Sequence, residues 1–185
     1  MILTLYHGTT KRALEQIKKE GIRPRDNKKS NWSGVGKSRS DLVYLTTCFA
    51  CYYACRACKK KGDKAIIIKL KIDSKQIPLY ADEEFLFKTS ELCKAKNIKQ
   101  QIKNYDSIDP KDYFEDTWEE SIKHMGTVTA EYISKECLVS YAEAERADNM
   151  DFLYYCDPSD INPATYKMLH KYYIERINKL KFKKI

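Results

Sequence analysis

Residues 2–24 read ILTLYHGTTKRALEQIKKEGIRP, which is an apolar run, a His-Gly pair and a helical pattern in succession. The apolar run suits a short strand that ends at the turn beginning with His7. From Thr10 the apolar side chains recur with helical spacing, and Gly21 is the kind of residue that ends such a helix. The chain is therefore predicted to begin with a strand followed by a helix.

Further strands and helices follow along the chain. Runs of apolar and β-branched residues predict four more strands, at residues 41–46, 65–72, 127–133 and 137–141. Helices are predicted over the cysteine-rich residues 48–58, within the polar residues 82–102, from Thr117 to Gly126, and over residues 163–180. Thr117 and Glu120 have the spacing of a capping box. Together these elements predict an α+β fold.

One domain accounts for the whole chain, because 185 residues are enough for a single core and hardly enough for two. We expect the core over residues 1–143 and a C-terminal helical extension over residues 144–185. The helix of this extension carries a predicted docking stripe of six residues: Met168, Leu169, Tyr172, Tyr173, Arg176 and Leu180.

The composition predicts a folded protein without a membrane span. Hydrophobic residues make up 43% of the chain, which is typical of globular domains. The longest stretch without a charged residue, Leu42 to Cys55, has 14 residues, whereas a transmembrane helix needs about 18 or more. The N-terminus lacks a basic leader and the cysteines number seven, an odd count. We therefore expect a cytoplasmic, reducing location and no membrane partner.

Four of the cysteines have the spacing C-x2-C-x3-C-x2-C: Cys48, Cys51, Cys55 and Cys58. The residues between them include no Gly or Pro, which predicts a helix with all four sulfur atoms on one face, spread over about 15 Å. One tetrahedral metal ion cannot collect ligands so far apart without unwinding the helix. The pattern is interpreted as buried, small apolar side chains with no metal. A metal-dependent nucleic-acid module built on the cysteines stays open as an alternative.

Lysine and arginine number 34 against 26 aspartate and glutamate residues, a formal net charge of +8. Such an excess favours encounter with anionic partners. The lysines are spread along the chain and are concentrated only at Lys59-Lys60-Lys61 and over residues 179–184. Two interpretations stay open, contact with nucleic acid and a solvated lysine-rich surface.

Three motifs follow one another near the N-terminus: Tyr6-His7-Gly8-Thr9-Thr10, Glu20-Gly21-Ile22-Arg23-Pro24 and Val43-Tyr44-Leu45-Thr46. In this order they resemble the opening of ADP-ribosyltransferase-fold proteins of the His-Tyr-Glu group. Residues 118–122, 126–128 and 133–138 are similar to the distal half of small bacterial and phage members, so the resemblance extends as far as residue 141. It implies a split β-sheet core with flanking helices and a C-terminal helix.

The resemblance also implies roles for individual residues. The His7 side chain would bond the ribose hydroxyls of NAD, the Gly8 backbone would hold the nicotinamide amide, and Tyr44 would stack on the nicotinamide ring. Three further residues complete the implied NAD-binding set: Thr9, Tyr53 and Trp32. For the aromatic residues of this set, packing in the core is the alternative.

Glu131 lies where the third-motif acid of the family is expected, near the start of a late strand. A carboxylate at that place would stabilise the oxocarbenium-like ribose and assist the attacking nucleophile. Glu119 and Glu120 lie just upstream and stay open as alternatives for this role. The implied catalytic residues are Glu131, His7 and Tyr44.

The activity implied by the resemblance is NAD-dependent transfer of ADP-ribose to a macromolecular acceptor, protein or nucleic acid, by an enzyme of toxin-like type. One alternative is an RNA 2′-phosphotransferase-like enzyme, for which Arg23, Arg25 and Arg39 are the loosely placed phosphate-binding candidates. The other alternative is a non-catalytic module of the same fold that binds a nucleotide or a partner.

Overall fold

The computed structural model describes residues 1–25, 39–82, 85, 100, 103–104, 117–145 and 163–185. These ranges contain four α-helices: α1 (Lys11–Glu20), α2 (Ala50–Ala57), α3 (Trp118–Met125) and α4 (Pro163–Lys179). They contain seven β-strands: β1 (Ile2–Thr10), β2 (Val43–Thr46), β3 (Ala65–Asp73), β4 (Tyr80–Ala81), β5 (Thr127–Ala130), β6 (Leu138–Ala144) and β7 (Lys183–Lys184). A short 3₁₀ helix, Lys135–Cys137, leads into β6. None of the helices in these ranges has both the length and the apolar composition needed to span a membrane.

All seven strands belong to one antiparallel sheet with the order β4-β5-β2-β1-β3-β6-β7. β1 and β3 pair along their whole length, and β2 and β5 pair over all four residues. In contrast, β1 and β2 share a single register pair, Tyr6 opposite Thr46. The predicted α+β class is confirmed, and the two parts of the sheet meet at a narrow junction between β1 and β2.

Both faces of the central strands are buried. On one side, which we name the α1 face, Leu5 and Ile66 pack with Leu14 of α1. On the other side, the α2 face, Tyr6 and Ile67 pack against residues of α2 and α4. Burial of a large apolar side chain contributes about 1.5–3 kcal/mol, so β1 and β3 are held from both sides.

The first strand is longer than predicted. β3 pairs with β1 residue by residue, from Ile2 opposite Asp73 to Thr10 opposite Ala65, and this ladder carries the strand past the expected turn. The prediction that the strand ends at His7 is therefore wrong. His7, Gly8 and Thr9 lie inside β1.

Two helices end where glycine signals in the sequence predict. Gly21 has φ +82° and its N–H donates to the carbonyl oxygen of Ile17 over 2.8 Å. Gly126 has φ +67° and donates to the carbonyl oxygen of Ile122 over 2.9 Å. Side chains with a Cβ rarely adopt these left-handed conformations, so both predicted helix ends are confirmed.

Two local predictions in the following segment are wrong. The capping box does not form, since the Thr117 side chain makes no capping hydrogen bond and Glu120 contacts His124 instead. The predicted strand over residues 127–133 stops at Ala130, because its partner β2 begins opposite that residue. Of the predicted boundaries of β2, β3 and β6, the end of β2 at Thr46 and the start of β3 at Ala65 are confirmed, and the others differ by one to three residues.

The C-terminal helix forms as predicted, and its buried face belongs to the apolar cluster on the α2 face, but the buried stripe is shifted from the predicted one. Leu169, Tyr173 and Ile177 are fully buried, at the i, i+4, i+8 spacing of one helix face, and Tyr172 and Leu180 pack beside them. Met168 is 59% exposed, so its place in the docking stripe is wrong.

Of the polar segment predicted to be helical, residues 83–84, 86–99 and 101–102 lie outside the described ranges.

Candidate functional site

His7 lies at the narrow junction between β1 and β2. Its Nδ1 atom is 2.9 Å from the carbonyl oxygen of Tyr44. Because a carbonyl oxygen can only accept, Nδ1 carries the proton, and Nε2 of the neutral ring keeps a free lone pair. Burial lowers the pKa of His7, and the bond to Tyr44 offsets part of this effect. The imidazole is therefore neutral at physiological pH, with Nε2 available as an acceptor.

This hydrogen bond joins the first and third motifs, which are 37 residues apart in sequence. Among the described residues, the ladder between β1 and β2 contains only the Tyr6–Thr46 pair. Beyond that pair, the His7 side chain links the two strands through the Tyr44 carbonyl. The two motifs lie on neighbouring strands, as the sequence predicts.

The Tyr44 ring is half-buried and anchored at its hydroxyl end. The backbone N–H of Arg39 donates to the Tyr44 hydroxyl over 2.6 Å. The ring also packs against an apolar cluster that includes Leu42, Tyr80 and Phe85. Tyr44 is thus partly a packing residue, yet one part of the ring remains accessible.

Helix α2 lies directly against Gly8. A Cβ atom at this position would lie 2.5 Å from the carbonyl oxygen of Ala50 and 2.5 Å from the backbone nitrogen of Ala54. Only glycine fits this contact, so close packing of α2 on β1 explains Gly8 whether or not its backbone also meets a ligand. Tyr53 stands beside Gly8 on α2, half-buried and edge-on to Tyr52 at 5.3 Å between ring centroids.

Glu131 follows the last residue of β5 and is exposed. The expectation that it lies near the start of a late strand is wrong, since β5 ends just before it. The hydroxyl of Tyr80 donates to Glu131 Oε1 over 3.3 Å. Tyr80 belongs to the edge strand β4, and nothing in the sequence near it pointed to a role in the site.

The two alternative acids lie in the first turn of α3 and are exposed. Glu120 has contacts within its own helix, 3.0 Å to Nε2 of His124 and 3.4 Å to Nζ of Lys123. Of the three candidates, Glu131 is the one that directly follows a strand paired with β2, the strand of Tyr44.

The arginines considered for phosphate binding have partners in the protein. Arg39 forms a two-point contact with Asp41, at 3.0 and 2.7 Å, and this lowers the pKa of Asp41. Arg25 Nη2 donates to the backbone carbonyl of Arg39 over 3.0 Å. Arg23 lies 3.6 Å from Glu20 and over the ring of Tyr132. Arg25 and Arg39 are thus brought together near Tyr44, but Arg39 is already bound to a carboxylate.

The four cysteines are buried in the core on the α2 face. Cys51 and Cys55 belong to α2, whereas Cys48 and Cys58 flank it, so the predicted helix is too long. Burial raises the pKa of the Cys48 and Cys51 thiols to about 12. Within the described ranges, no group of His, Cys, Asp or Glu side chains is arranged to hold a metal ion.

The structure therefore places His7, Tyr44 and Glu131 on or directly after three neighbouring strands, β1, β2 and β5. Thr9 is buried in β1, and Trp32 lies outside the described residues. Comparison of the chain with protein-family models and with curated proteins gave no match.

Proposed function

We propose that this protein binds NAD at the junction of β1 and β2 and transfers its ADP-ribose to a macromolecular acceptor. The observation that carries the proposal is the hydrogen bond from His7 Nδ1 to the Tyr44 carbonyl. It joins the first and third of the motifs by which the sequence resembles His-Tyr-Glu ADP-ribosyltransferases. The single register pair between β1 and β2 is also consistent with the split sheet that the resemblance implies.

The state of His7 suits a ribose ligand. A neutral imidazole with its proton on Nδ1 presents Nε2 as a hydrogen-bond acceptor, which a ribose hydroxyl can satisfy by donation. The accessible part of the Tyr44 ring, together with Tyr53 on α2, offers aromatic surface for the nicotinamide. These residues orient NAD, and orientation is a large part of catalysis in such reactions.

In the proposed reaction a nucleophile of the acceptor attacks C1′ of the nicotinamide ribose, and the bond from C1′ to the pyridinium nitrogen breaks. Nicotinamide leaves as a neutral molecule with the electron pair of that bond, and the acceptor loses a proton as the new glycosidic bond forms. Glu131 would stabilise the positive charge that develops on the ribose and accept the proton. The Tyr80 hydroxyl restricts the orientation of this carboxylate.

The alternative RNA 2′-phosphotransferase activity has weaker support. Such an enzyme needs cationic side chains free to bind a phosphate, whereas Arg39 holds Asp41 at two points and Arg23 lies beside Glu20.

The proposal is tested with NAD labelled in its adenylate half, incubated with the protein, cell lysate and RNA. We expect label on a macromolecule and release of nicotinamide by the unmutated protein, and neither with His7→Ala. His124→Ala is the matched control, because His124 is exposed on α3 and should keep full activity. If NAD raises the melting temperature but no nicotinamide is released, the non-catalytic module replaces the proposal.

A further inference from the structure

The segment that connects α2 to β3 is densely cationic. Residues 59–64, which we name the basic loop, include four exposed lysines: Lys59, Lys60, Lys61 and Lys64. Three further exposed cations flank the loop in the chain or contact it: Arg56 at the end of α2, and Lys11 and Arg12 at the start of α1.

The basic loop has a defined conformation. The carboxylate of Asp63, whose side chain is only 5% exposed, accepts from the backbone N–H of Lys60 at 3.0 Å and from Arg12 Nη2 at 2.9 Å. The Asp63 N–H donates to the Lys60 carbonyl over 3.1 Å, and the Lys11 N–H to the Lys64 carbonyl over 2.9 Å. A loop braced in this way presents its lysines at low cost in conformational entropy on binding.

The positive charge of this surface is only partly compensated. Seven cations face three nearby carboxylates, of which Asp63 is turned inward, Glu143 pairs with Lys64 at 2.6 Å, and Glu145 follows β6. Within the described part of the chain, Lys11, Lys60 and Lys61 have no carboxylate within 4.0 Å. Uncompensated, closely spaced cations attract a polyanion strongly.

The basic loop lies at the same end of the sheet as Glu131. Ala65, which follows the loop, pairs with Thr10, and Val43 pairs with Ala130. Counting residues from the Tyr6–Thr46 pair puts Glu131 and Ala65 at the same level along the strands, with β2 and β1 between them.

We infer that the basic loop and its flanking cations bind the phosphodiester backbone of a nucleic-acid strand, which is the acceptor class for the candidate site. The binding of the strand does not depend on the proposed function, and only the role of the strand as acceptor rests on it.

A membrane surface fits less well, because peripheral membrane binding normally adds apolar side chains to the charge. The exposed large hydrophobic residues within the described ranges are Met1, Ile2, Tyr132, Met168 and Ile185, and none is in the basic loop. A protein partner fits less well because lysine is depleted from protein interfaces.

The test measures fluorescence anisotropy of labelled RNA and DNA strands of about 20 nucleotides, without NAD, between about 50 and 200 mM salt. Lys60→Ala/Lys61→Ala should weaken binding about tenfold and reduce the slope of log K against log salt by about 2. Lys71→Ala/Lys75→Ala is the matched control, since it removes the same charge from exposed positions toward the far end of β3. It should change the affinity less than about twofold. Lys60→Arg/Lys61→Arg should bind like the unmutated protein.

Equal losses of affinity in the two alanine variants would overturn the inference, and so would the absence of strand binding. Tighter binding to vesicles rich in phosphatidylserine, or to polyglutamate, than to the strands would also overturn it. Comparison of RNA with DNA identifies the preferred strand. Strand binding without NAD turnover supports the surface and refutes the proposed transfer. Transfer to protein without strand binding refutes the surface and leaves the transfer standing.

Discussion

The Tyr80 hydroxyl lies 3.3 Å from Glu131 Oε1 and links the edge strand β4 to the residue that follows β5. The register of these strands puts Tyr80 opposite Thr129, two residues before Glu131. The two residues are 51 positions apart in sequence, and the pairing of β4 with the end of β5 brings them together. In the proposed reaction this contact holds the carboxylate in one orientation.

Neutralising Glu131 should therefore affect rate rather than binding. Glu131→Gln keeps the shape of the side chain and removes a charge that matters mainly in the transition state. Nicotinamide release should fall about 100- to 10,000-fold, while the NAD-induced shift in melting temperature persists. Tyr80→Phe should lower the rate about tenfold through loss of one hydrogen bond. Glu119→Gln and Glu120→Gln are the matched controls, and a comparable loss in either of them would contradict the assignment.

Gly8→Ala should destabilise the fold even without any ligand. The new methyl group would lie 2.5 Å from backbone atoms of Ala50 and Ala54, and overpacking of this kind costs about 1–3 kcal/mol or more. Gly62→Ala is the comparison, because no atom lies within 4 Å of its new methyl group and only the φ of +85° is unfavourable, at about 1 kcal/mol. The urea midpoints of the two variants compare their losses of stability. A smaller loss of stability for Gly8→Ala than for Gly62→Ala would show that α2 does not pack closely against β1 at Gly8.

The stability of the protein should decrease in mild acid. Burial lowers the pKa of His7 below its usual 6.5, so the unfolded state binds a proton more readily than the folded state. The contribution of His7 is complete above pH 6.5 and is lost as the pH falls toward its folded-state pKa. Burial lowers the pKa of His170 as well, so part of the effect remains in a His7 variant.

Urea unfolding at pH 7.5 and 5.5 measures this effect. Between pH 7.5 and 5.5, the free energy of unfolding should decrease less for His7→Gln than for the unmutated protein. For His124→Gln, at an exposed position, it should decrease as much as for the unmutated protein. Identical pH dependence for His7→Gln and the unmutated protein would mean that His7 does not resist protonation in the folded state.

Removal of a single ring should loosen the C-terminal helix. Tyr173 is fully buried and meets Phe49 edge-on at 5.3 Å between ring centroids. Tyr173→Ala should cost about 3 kcal/mol or more, whereas Met168→Ala, at a position 59% exposed, should change stability by less than about 0.5 kcal/mol. Thermal unfolding of both variants provides the comparison, and similar melting temperatures would refute the docking of α4 on α2.

The features that the sequence predicts correctly are those encoded locally. Gly21 and Gly126 end helices because a left-handed residue is a property of one position and its neighbours. The placement of His7 and Tyr44 on successive strands was also predicted, since each motif marks its own strand, whereas the hydrogen bond between them was not. The resemblance supplied their roles in NAD binding, which stay predictions.

The predictions that are wrong concern features that depend on residues distant in sequence. β1 continues beyond His7 because β3 pairs with every one of its residues, and no residue close to His7 in sequence indicates this pairing. The contact between Tyr80 and Glu131 spans 51 residues, and without a motif at Tyr80 no pattern could reveal it. Met168 lies at one edge of the predicted stripe and Ile177 lies just outside its other edge, so a rotation of the helix by a fraction of a turn buries Ile177 and exposes Met168.

The long ladder between β1 and β3 also has a consequence for the order of folding. The paired residues are separated by 55 positions for Thr10 and Ala65 and by 71 for Ile2 and Asp73. β1 is synthesised before β3, its principal partner, and α1, β2 and α2 are synthesised between the two strands. Contacts between such distant positions slow folding, because a long loop must close before they form. Until β3 is synthesised, the apolar residues of β1 lack this partner, and exposed apolar residues on an unpaired strand make a nascent chain prone to aggregate.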